Sequence, residues 1–161
     1  MSDKKATFRY ADRKDVPMIL RFIKSLASYE KMSETVCATE ELLKEWLFDR
    51  KRAEVLFVMV SGKEVGFSLF YQSFSAYLGR GAIYIDDLYI DPAYRGRGYG
   101  KALLKKMAEI TLERGCGRLE WCCLNWNQPS INFYRSMGAV SADDHIVFQV
   151  FGEALINMTE K

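Results

Sequence analysis

No apolar run in this 161-residue chain approaches the ~20 residues that a membrane-spanning helix requires. A spanning helix is excluded on that ground, and no membrane partner is expected. The opening Met1-Ser2-Asp3-Lys4-Lys5 lacks the apolar core of an export leader, which sets the expectation of a cytoplasmic protein. An excess of one charge is missing too. The 23 Lys and Arg residues against 21 Asp and Glu leave a net charge of +2, scattered through the chain rather than blocked. That balance offers no electrostatic footprint for a nucleic acid, so none is expected as a partner.

Cysteine and histidine are scarce. Cys37, Cys116, Cys122 and Cys123 show no paired C-x-x-C spacing, and adjacent positions on a strand point to opposite faces, so buried thiols are expected. The lone histidine, His145, lies in a late β-like run; it has the chemistry of a base, yet a single His is more often structural. No metal site is expected. Repeats, linkers and low-complexity stretches are absent as well. The 49% hydrophobic and 14% aromatic content therefore belongs to one domain spanning 1–161, able to bury about two-thirds of its unfolded surface.

What is present is a series of periodic segments. Val16, Ile19, Leu20, Ile23, Leu26 and Ala27 recur at helical spacing after Asp12 or Asp15, either of which suits a cap, and predict a helix over roughly Lys14 to Tyr29. Thr39 with Glu40 and Glu41 opens a second helix, whose Leu42, Leu43, Trp46 and Leu47 form an apolar stripe read as core. Ala53 to Val60 and Val65 to Tyr71 read as strands joined by the turn Ser61-Gly62-Lys63-Glu64, and a third strand follows at Ala82 to Ile90. A helix over Lys101 to Glu113 buries Leu103, Leu104, Met107 and Ile110, and Gly115 and Gly117 stop it before a strand from Arg118 to Leu124. Pro129 and Ser130 open a short helix ending near Gly138, and strands are expected around Ala139 and from Ile146 to Phe151.

Between the third strand and its helix stands Arg95-Gly96-Arg97-Gly98-Tyr99-Gly100. Glycines let the backbone turn tightly and approach a ligand without a Cβ in the way, and the free N–H groups at a helix start attract anions. The loop therefore reads as a phosphate cradle for a pyrophosphate-bearing cofactor. A Walker loop would need glycine at Arg95 and a hydroxyl residue at Ala102, which argues against ATP or GTP. A dinucleotide fingerprint spaces its glycines G-x-G-x-x-G, whereas Gly96, Gly98 and Gly100 alternate in mid-chain, which argues against NAD. Taken alone, the same residues also suit a Gly-rich left-handed turn capping a helix.

The loop resembles the acyl-CoA loop of the GNAT acetyltransferase superfamily, [Arg/Gln]-x-x-Gly-x-[Gly/Ala], filled by Arg95, Gly98 and Gly100. Asn125-Trp126-Asn127-Gln128-Pro129-Ser130-Ile131-Asn132-Phe133-Tyr134 with Gly138-Ala139 resembles the second signature of that superfamily and, more narrowly, its spermidine/spermine (diamine) branch. The likeness takes in Arg9-Tyr10-Ala11 with Asp15, the segment Leu26 to Glu30, and a tail through Met158. It implies an α/β (α+β) fold, with a central mixed, mostly antiparallel twisted sheet of about six to seven strands flanked by about four helices. It also implies acetyl-CoA as donor, a small-molecule amine as acceptor, and a homodimer.

Amine acetylation needs a neutral amine, a polarised thioester carbonyl and a proton for the departing sulfur. An alkylamine with a pKa near ~10.4 is neutral about once in 2,500 molecules at pH 7, so deprotonation costs roughly 4.6 kcal/mol. A carboxylate answers that need. Asp86 and Asp87 interrupt an otherwise apolar strand, where two acids are costly unless solvated or paired; they are expected to line a cavity, the alternative being a bond to a neighbouring loop. In a regular strand only one of them meets the substrate unless a bulge intervenes. The resemblance selects Asp86 as the base. Its position is usually Glu in the diamine branch, so Asp86 is one methylene shorter and leaves room for an ordered water.

Tyr134 matches the general acid of the family, its phenol lying within about two pKa units of a thiol. The resemblance further implies an oxyanion donor in the Leu88 N–H, beside a strand bulge near Tyr89. It has Leu88, Tyr89 and Ile90 running along pantetheine, and the segment Arg95, Gly96, Arg97, Gly98, Tyr99, Gly100 and Lys101 holding the pyrophosphate. Asn127 and Ser130 would contact the CoA arm, although Asn127 also suits the cap of the Pro129 helix. Tyr29 and Glu30 match a segment that reaches the acceptor groove, joined there by Asp86 and Asp87. His145 and Ile146 stand where the animal diamine enzymes show Trp-Arg, a departure that bears on the shape of the acceptor pocket. Two alternatives stay open: transfer to another amine class, such as a peptide N-terminus or an aminoglycoside, and an acyl-CoA sensor without turnover.

Overall fold

Ser61 and Gly62 both take positive φ, +52° and +76°, and this pair closes the first hairpin. Left-handed backbone at both central positions is what a two-residue hairpin turn needs, so the expected four-residue turn narrows to two. The computed structural model describes residues 5–160, which leaves nearly all of the Met1–Lys5 leader reading outside the described residues. Strand β2 (Glu54–Val60) runs antiparallel to β3 (Lys63–Ser75), from Val60↔Lys63 to Glu54↔Phe70. Strand β4 (Arg80–Ile90) pairs antiparallel with β3, and the short β5 (Leu119–Trp121) pairs parallel with β4.

One strand was not anticipated. Thr7–Tyr10 forms β1, antiparallel to β2, with Arg9 opposite Phe57. Thr7-Phe8-Arg9-Tyr10 alternates polar and apolar, but over only four residues, the shortest run that can announce a strand, and its place is fixed by long-range partners. Arg9 donates to Asp15 (2.7 Å) and to Glu64 (2.8 Å), and its guanidinium lies 5.0 Å from the Phe57 ring centre. The sheet thus runs β1-β2-β3-β4-β5, mixed and mostly antiparallel as expected. It holds five strands among the described residues, against the six to seven expected.

Asp12 is the capping residue at the first helix. Its carboxylate accepts from the Lys14 N–H (3.0 Å), while Asp15 accepts from the Asp12 N–H (2.8 Å). A 3₁₀ turn over Arg13–Asp15 then feeds α1 (Val16–Tyr29), with Pro17 in its first turn where no N–H is needed. Thr39 caps α2 (Glu40–Leu43) by accepting from the Leu42 N–H at 3.2 Å, and the helix continues as a π-helix over Lys44–Asp49. The wider π winding breaks the expected stripe. Leu47 is buried, but Leu42 and Trp46 are exposed, and Arg50 lies over the Trp46 ring.

Ile19, Phe22, Leu26 and Leu47 pack on one face of the sheet against Val55, Phe57, Phe67, Leu69 and Tyr89. Phe22 stacks on Phe67 at 5.4 Å, and each such burial contributes roughly 1.5–3 kcal/mol. Leu56, Val58, Ile83 and Ile85 belong to the opposite face by strand alternation. Helix α3 (Tyr99–Glu113) packs against β4 and β5 and buries Leu103, Leu104, Met107 and Ile110, as its spacing predicts; Gly115 at φ +68° ends it.

The residues up to Cys122 and those from Cys123 on form two compact units. In the second, α4 (Gln128–Ser136) is the expected Pro129 helix, and a short α5 (Gly152–Asn157) was not foreseen. The strands expected around Ala139 and from Ile146 to Phe151 are not observed. A β-branched, aromatic run forms a strand only where a neighbour supplies the ladder, and no ladder reaches residues 139–151 among the described residues. Of the cysteines expected to be buried, only Cys116 is; Cys37 and Cys122 are exposed and Cys123 is half-buried. No helix among the described residues is long and apolar enough to cross a membrane.

Candidate functional site

The register of β4 breaks once. Ile85 faces Phe70 and Asp87 faces Leu69, so Asp86 is the extra residue of a bulge, three positions before the expected site near Tyr89, where the Phe67↔Tyr89 pairing is regular. Before the bulge, the odd residues turn their amides toward β5: the Gly117 N–H donates to Gly81 O and the Ile83 N–H to Arg118 O, both at 2.9 Å. After it the parity switches. The Asp91 N–H donates to Val65 O on the β3 side (2.9 Å), so alternation turns the amides of Leu88 and Ile90 away from β3. The β4–β5 ladder ends at Ile85↔Trp121, and among the described residues no ladder pairs that edge of β4 from Asp86 to Ile90. Leu88 and Ile90 thus offer main-chain donors along an open edge.

The bulge also brings both acids to one place. Asp86 and Asp87 line a cavity of about 340 Å³ together with Glu30, walled by apolar residues including Leu26, Val36, Leu43 and Leu69. Burial pushes the Asp87 carboxyl up to about 7, with the charges of Asp86 and Glu30 adding to the shift. Desolvation also raises Asp86, which is more exposed than Asp87, and Glu30. Three carboxylates facing one cavity favour the entry of a cation. The mostly polar segment that follows α1 supplies Met32, Val36 and Ala38 to the wall, a contribution that no periodicity marked.

Tyr29 does not join Glu30 there. It lines a neighbouring groove with Tyr89 and Arg95, whose guanidinium lies 4.7 Å from the Tyr29 ring and 5.4 Å from that of Tyr89. Arg95 Nε also donates to Ile90 O at 2.8 Å, so this side chain ties the glycine loop back to β4 and α1.

The loop itself adopts a geometry that suits a diphosphate. Gly96 and Gly98 take φ of +73° and +82°, and open space surrounds the position of a Cβ at either residue. Gly98 is the N-cap of α3 and supplies no side-chain cap, and a helix start of this kind suits an anion. The helix begins at Tyr99, two residues earlier than expected, which places Tyr99, Gly100 and Lys101 in its first turn. Tyr99 is buried, a Cβ at Gly100 would stand 3.9 Å from Ile90 Cγ1, and Arg97 lies over the Tyr94 ring.

In the second unit, Asn127 accepts from the Ser130 N–H at 3.4 Å, which makes it the cap of α4, one of the two roles it suited. Tyr134 lies half-buried in that helix, its ring 5.4 Å from Phe133. His145 is exposed, with Nδ1 2.7 Å from the carboxylate of Asp144. Among the described residues no group of three metal-ligating side chains comes together.

The family model of the acetyltransferase (GNAT) family matches residues 20–139. A thialysine N-epsilon-acetyltransferase of Bos taurus is 36% identical over 165 residues, covering 95% of this chain and 96% of that protein. A spermidine/spermine N(1)-acetyltransferase-like protein 1 of Homo sapiens is 32% identical over 161 residues, covering 93% of this chain and 23% of that longer protein. Among solved structures, an integron cassette protein from the mobile metagenome of V. cholerae superposes with a TM-score of 0.79 over 97% of this chain and 98% of its own, at 23% identity. That last likeness shows the fold, α+β with a mixed sheet, and the family match shows the rest: the chain belongs to the GNAT family of acetyltransferases.

Proposed function

We propose that the chain transfers an acetyl group from acetyl-CoA to a primary amine of a small diamine, polyamine or lysine-like compound by direct attack. One observation carries the reading: the bulge at Asp86 sets two carboxylates at a cavity and the free amides of Leu88 and Ile90 on the open edge of the same strand. The names of the bovine and human relatives support an amine acceptor.

Acetyl-CoA, when bound, supplies the acetyl group as an activated thioester. The main-chain amides from Gly96 to Lys101 would hold its diphosphate, and the Ile90 N–H with the Leu88 backbone carbonyl its pantetheine arm. In this reading Asp86 accepts a proton from the incoming ammonium, directly or through water, and Asp87 with Glu30 draws the cation into the cavity. The Leu88 N–H donates to the carbonyl oxygen as charge develops there. Tyr134 Oη holds the proton that the leaving sulfur takes. Asn127 and Ser130 would line the CoA arm, and the active form is a homodimer, as the family resemblance implies.

The test is a thiol-release screen with acetyl-CoA over amines of graded length and charge. Short diamines and lysine-like amines should raise release well above background. Peptide N-termini turning over while diamines do not would replace the acceptor, and no amine turning over while CoA binds tightly would replace the enzyme by a sensor.

A further inference from the structure

Arg21, Lys24, Ser25 and Ser28 fall at positions i, i+3, i+4 and i+7 of α1, a single stripe of the helix. The stripe faces the turn after β4, and with Arg95 and Pro92 it encloses a groove of about 770 Å³, distinct from the carboxylate cavity. Elsewhere Arg9, Arg13, Arg50, Arg114 and Arg118 each hold a carboxylate. The groove differs. No acidic residue lines it, and among the described residues no carboxylate lies within ion-pair distance of Arg21, Lys24 or Arg95. Three cations share one concavity without a counter-charge, and Arg95 is already oriented by Ile90 O and by the rings of Tyr29 and Tyr89.

We propose that this groove is an anion subsite that takes a phosphate group carried on an apolar or planar body. Two guanidinium forks and an ammonium suit a tetrahedral oxyanion, the serine hydroxyls add neutral donors, and Leu20, Tyr29 and Pro92 supply the apolar wall. Because Arg95 belongs to both this groove and the glycine loop, the phosphate comes from one of two sources. It is the ribose phosphate of the donor, an arm that rests on the proposed function, or it is a separate phosphorylated effector.

Calorimetric titration of the whole chain distinguishes them, with pyrophosphate, CoA and dephospho-CoA as probes and the double variant Arg21→Ala/Lys24→Ala as comparison. Pyrophosphate should bind the parent with an affinity that falls as salt rises, and roughly tenfold less tightly to the double variant. With the donor as source, the parent should prefer CoA to dephospho-CoA, the double variant should lose that preference, and saturating CoA should displace pyrophosphate. With a separate effector, pyrophosphate should still bind under saturating CoA, and the affinity for CoA should be equal in parent and variant. The swap Arg21→Lys/Lys24→Arg should keep the binding, which separates charge from folding. A double variant matching the parent for all three probes, or a parent that binds no pyrophosphate and does not distinguish CoA from dephospho-CoA, overturns the subsite. None of these readings needs turnover, so they stand if the acetyl-transfer assignment fails.

Discussion

Asp86 and Asp87 are consecutive residues of one strand, yet both carboxylates line the same cavity, because Asp86 takes the extra position of a bulge. A regular strand would have sent them to opposite faces. Two like charges in one partly dry site cannot both ionise freely, so protonation belongs to the pair, with Glu30 as a third member.

A pH-dependent stability follows. The folded-state pKa of Asp87, about 7, lies above the ordinary value of 3.8, so between those values the folded chain holds a proton that the unfolded chain releases. Stability therefore falls as pH rises from about 4 to 7, and the loss persists above 7. Asp87→Asn removes the half-buried charge and should stabilise the chain by about 1–3 kcal/mol at pH 8, with the gain shrinking toward pH 4. Urea unfolding at pH 8 and pH 4.5 checks it; a gain equal at both values would mean that Asp87 ionises as it does in water.

Asp86→Asn should lower kcat/KM for the amine by roughly a hundredfold while acetyl-CoA affinity stays within about twofold, if Asp86 receives the ammonium proton. Asp86→Glu should keep most of the activity. Initial rates over an amine series, paired with calorimetry for the donor, read both quantities. Equal losses in Asn and Glu variants would point to the bulge geometry rather than to the carboxylate.

Much of this arrangement was legible in the residues themselves. Asp12 and Thr39 as caps, the buried faces of α1 and α3, and the change from strand to glycine loop to helix are local signals, set within a few residues. What failed was non-local. Strand β1 exists because β2 offers Phe57 to Arg9, and the Ile146–Phe151 run carries strand composition without a ladder. The bulge could be anticipated as a need of two adjacent acids, but its place depends on the register between β3 and β4, which no single strand encodes. The outward turn of Trp46 came from π winding, invisible to a 3.6-residue count.

Tyr134→Phe should reduce kcat by roughly ten- to a hundredfold with acetyl-CoA affinity nearly unchanged, since only the phenolic proton is removed. The loss should shrink for donors whose thiol is more acidic, because their sulfur needs the proton less. A turnover number equal to that of the parent would remove Tyr134 from the chemistry.

Gly66 and Gly98 separate two reasons for glycine, and with them the rigidity of the open edge from the shape of the loop. At Gly66 the φ is unremarkable, but a Cβ would stand 2.4 Å from Tyr89 O and 2.6 Å from Ile90 Cδ1, so β4 would have to move at the residues whose amides line that edge. At Gly98 a Cβ would meet open space, and the difficulty is φ +82° alone. Gly98→Ala should therefore cost about 1–2 kcal/mol, and Gly66→Ala roughly 2–4 kcal/mol. Thermal unfolding reads both. Acetyl-CoA at a hundred times the parent's Kd should raise the stability of the parent by about 2.7 kcal/mol, and at that same concentration Gly66→Ala should gain a smaller increment, because the increment depends on Kd and not on the folding loss. A Gly66→Ala chain that binds donor like the parent would show that the strand edge yields without consequence, and would take the amides of Leu88 and Ile90 out of donor binding.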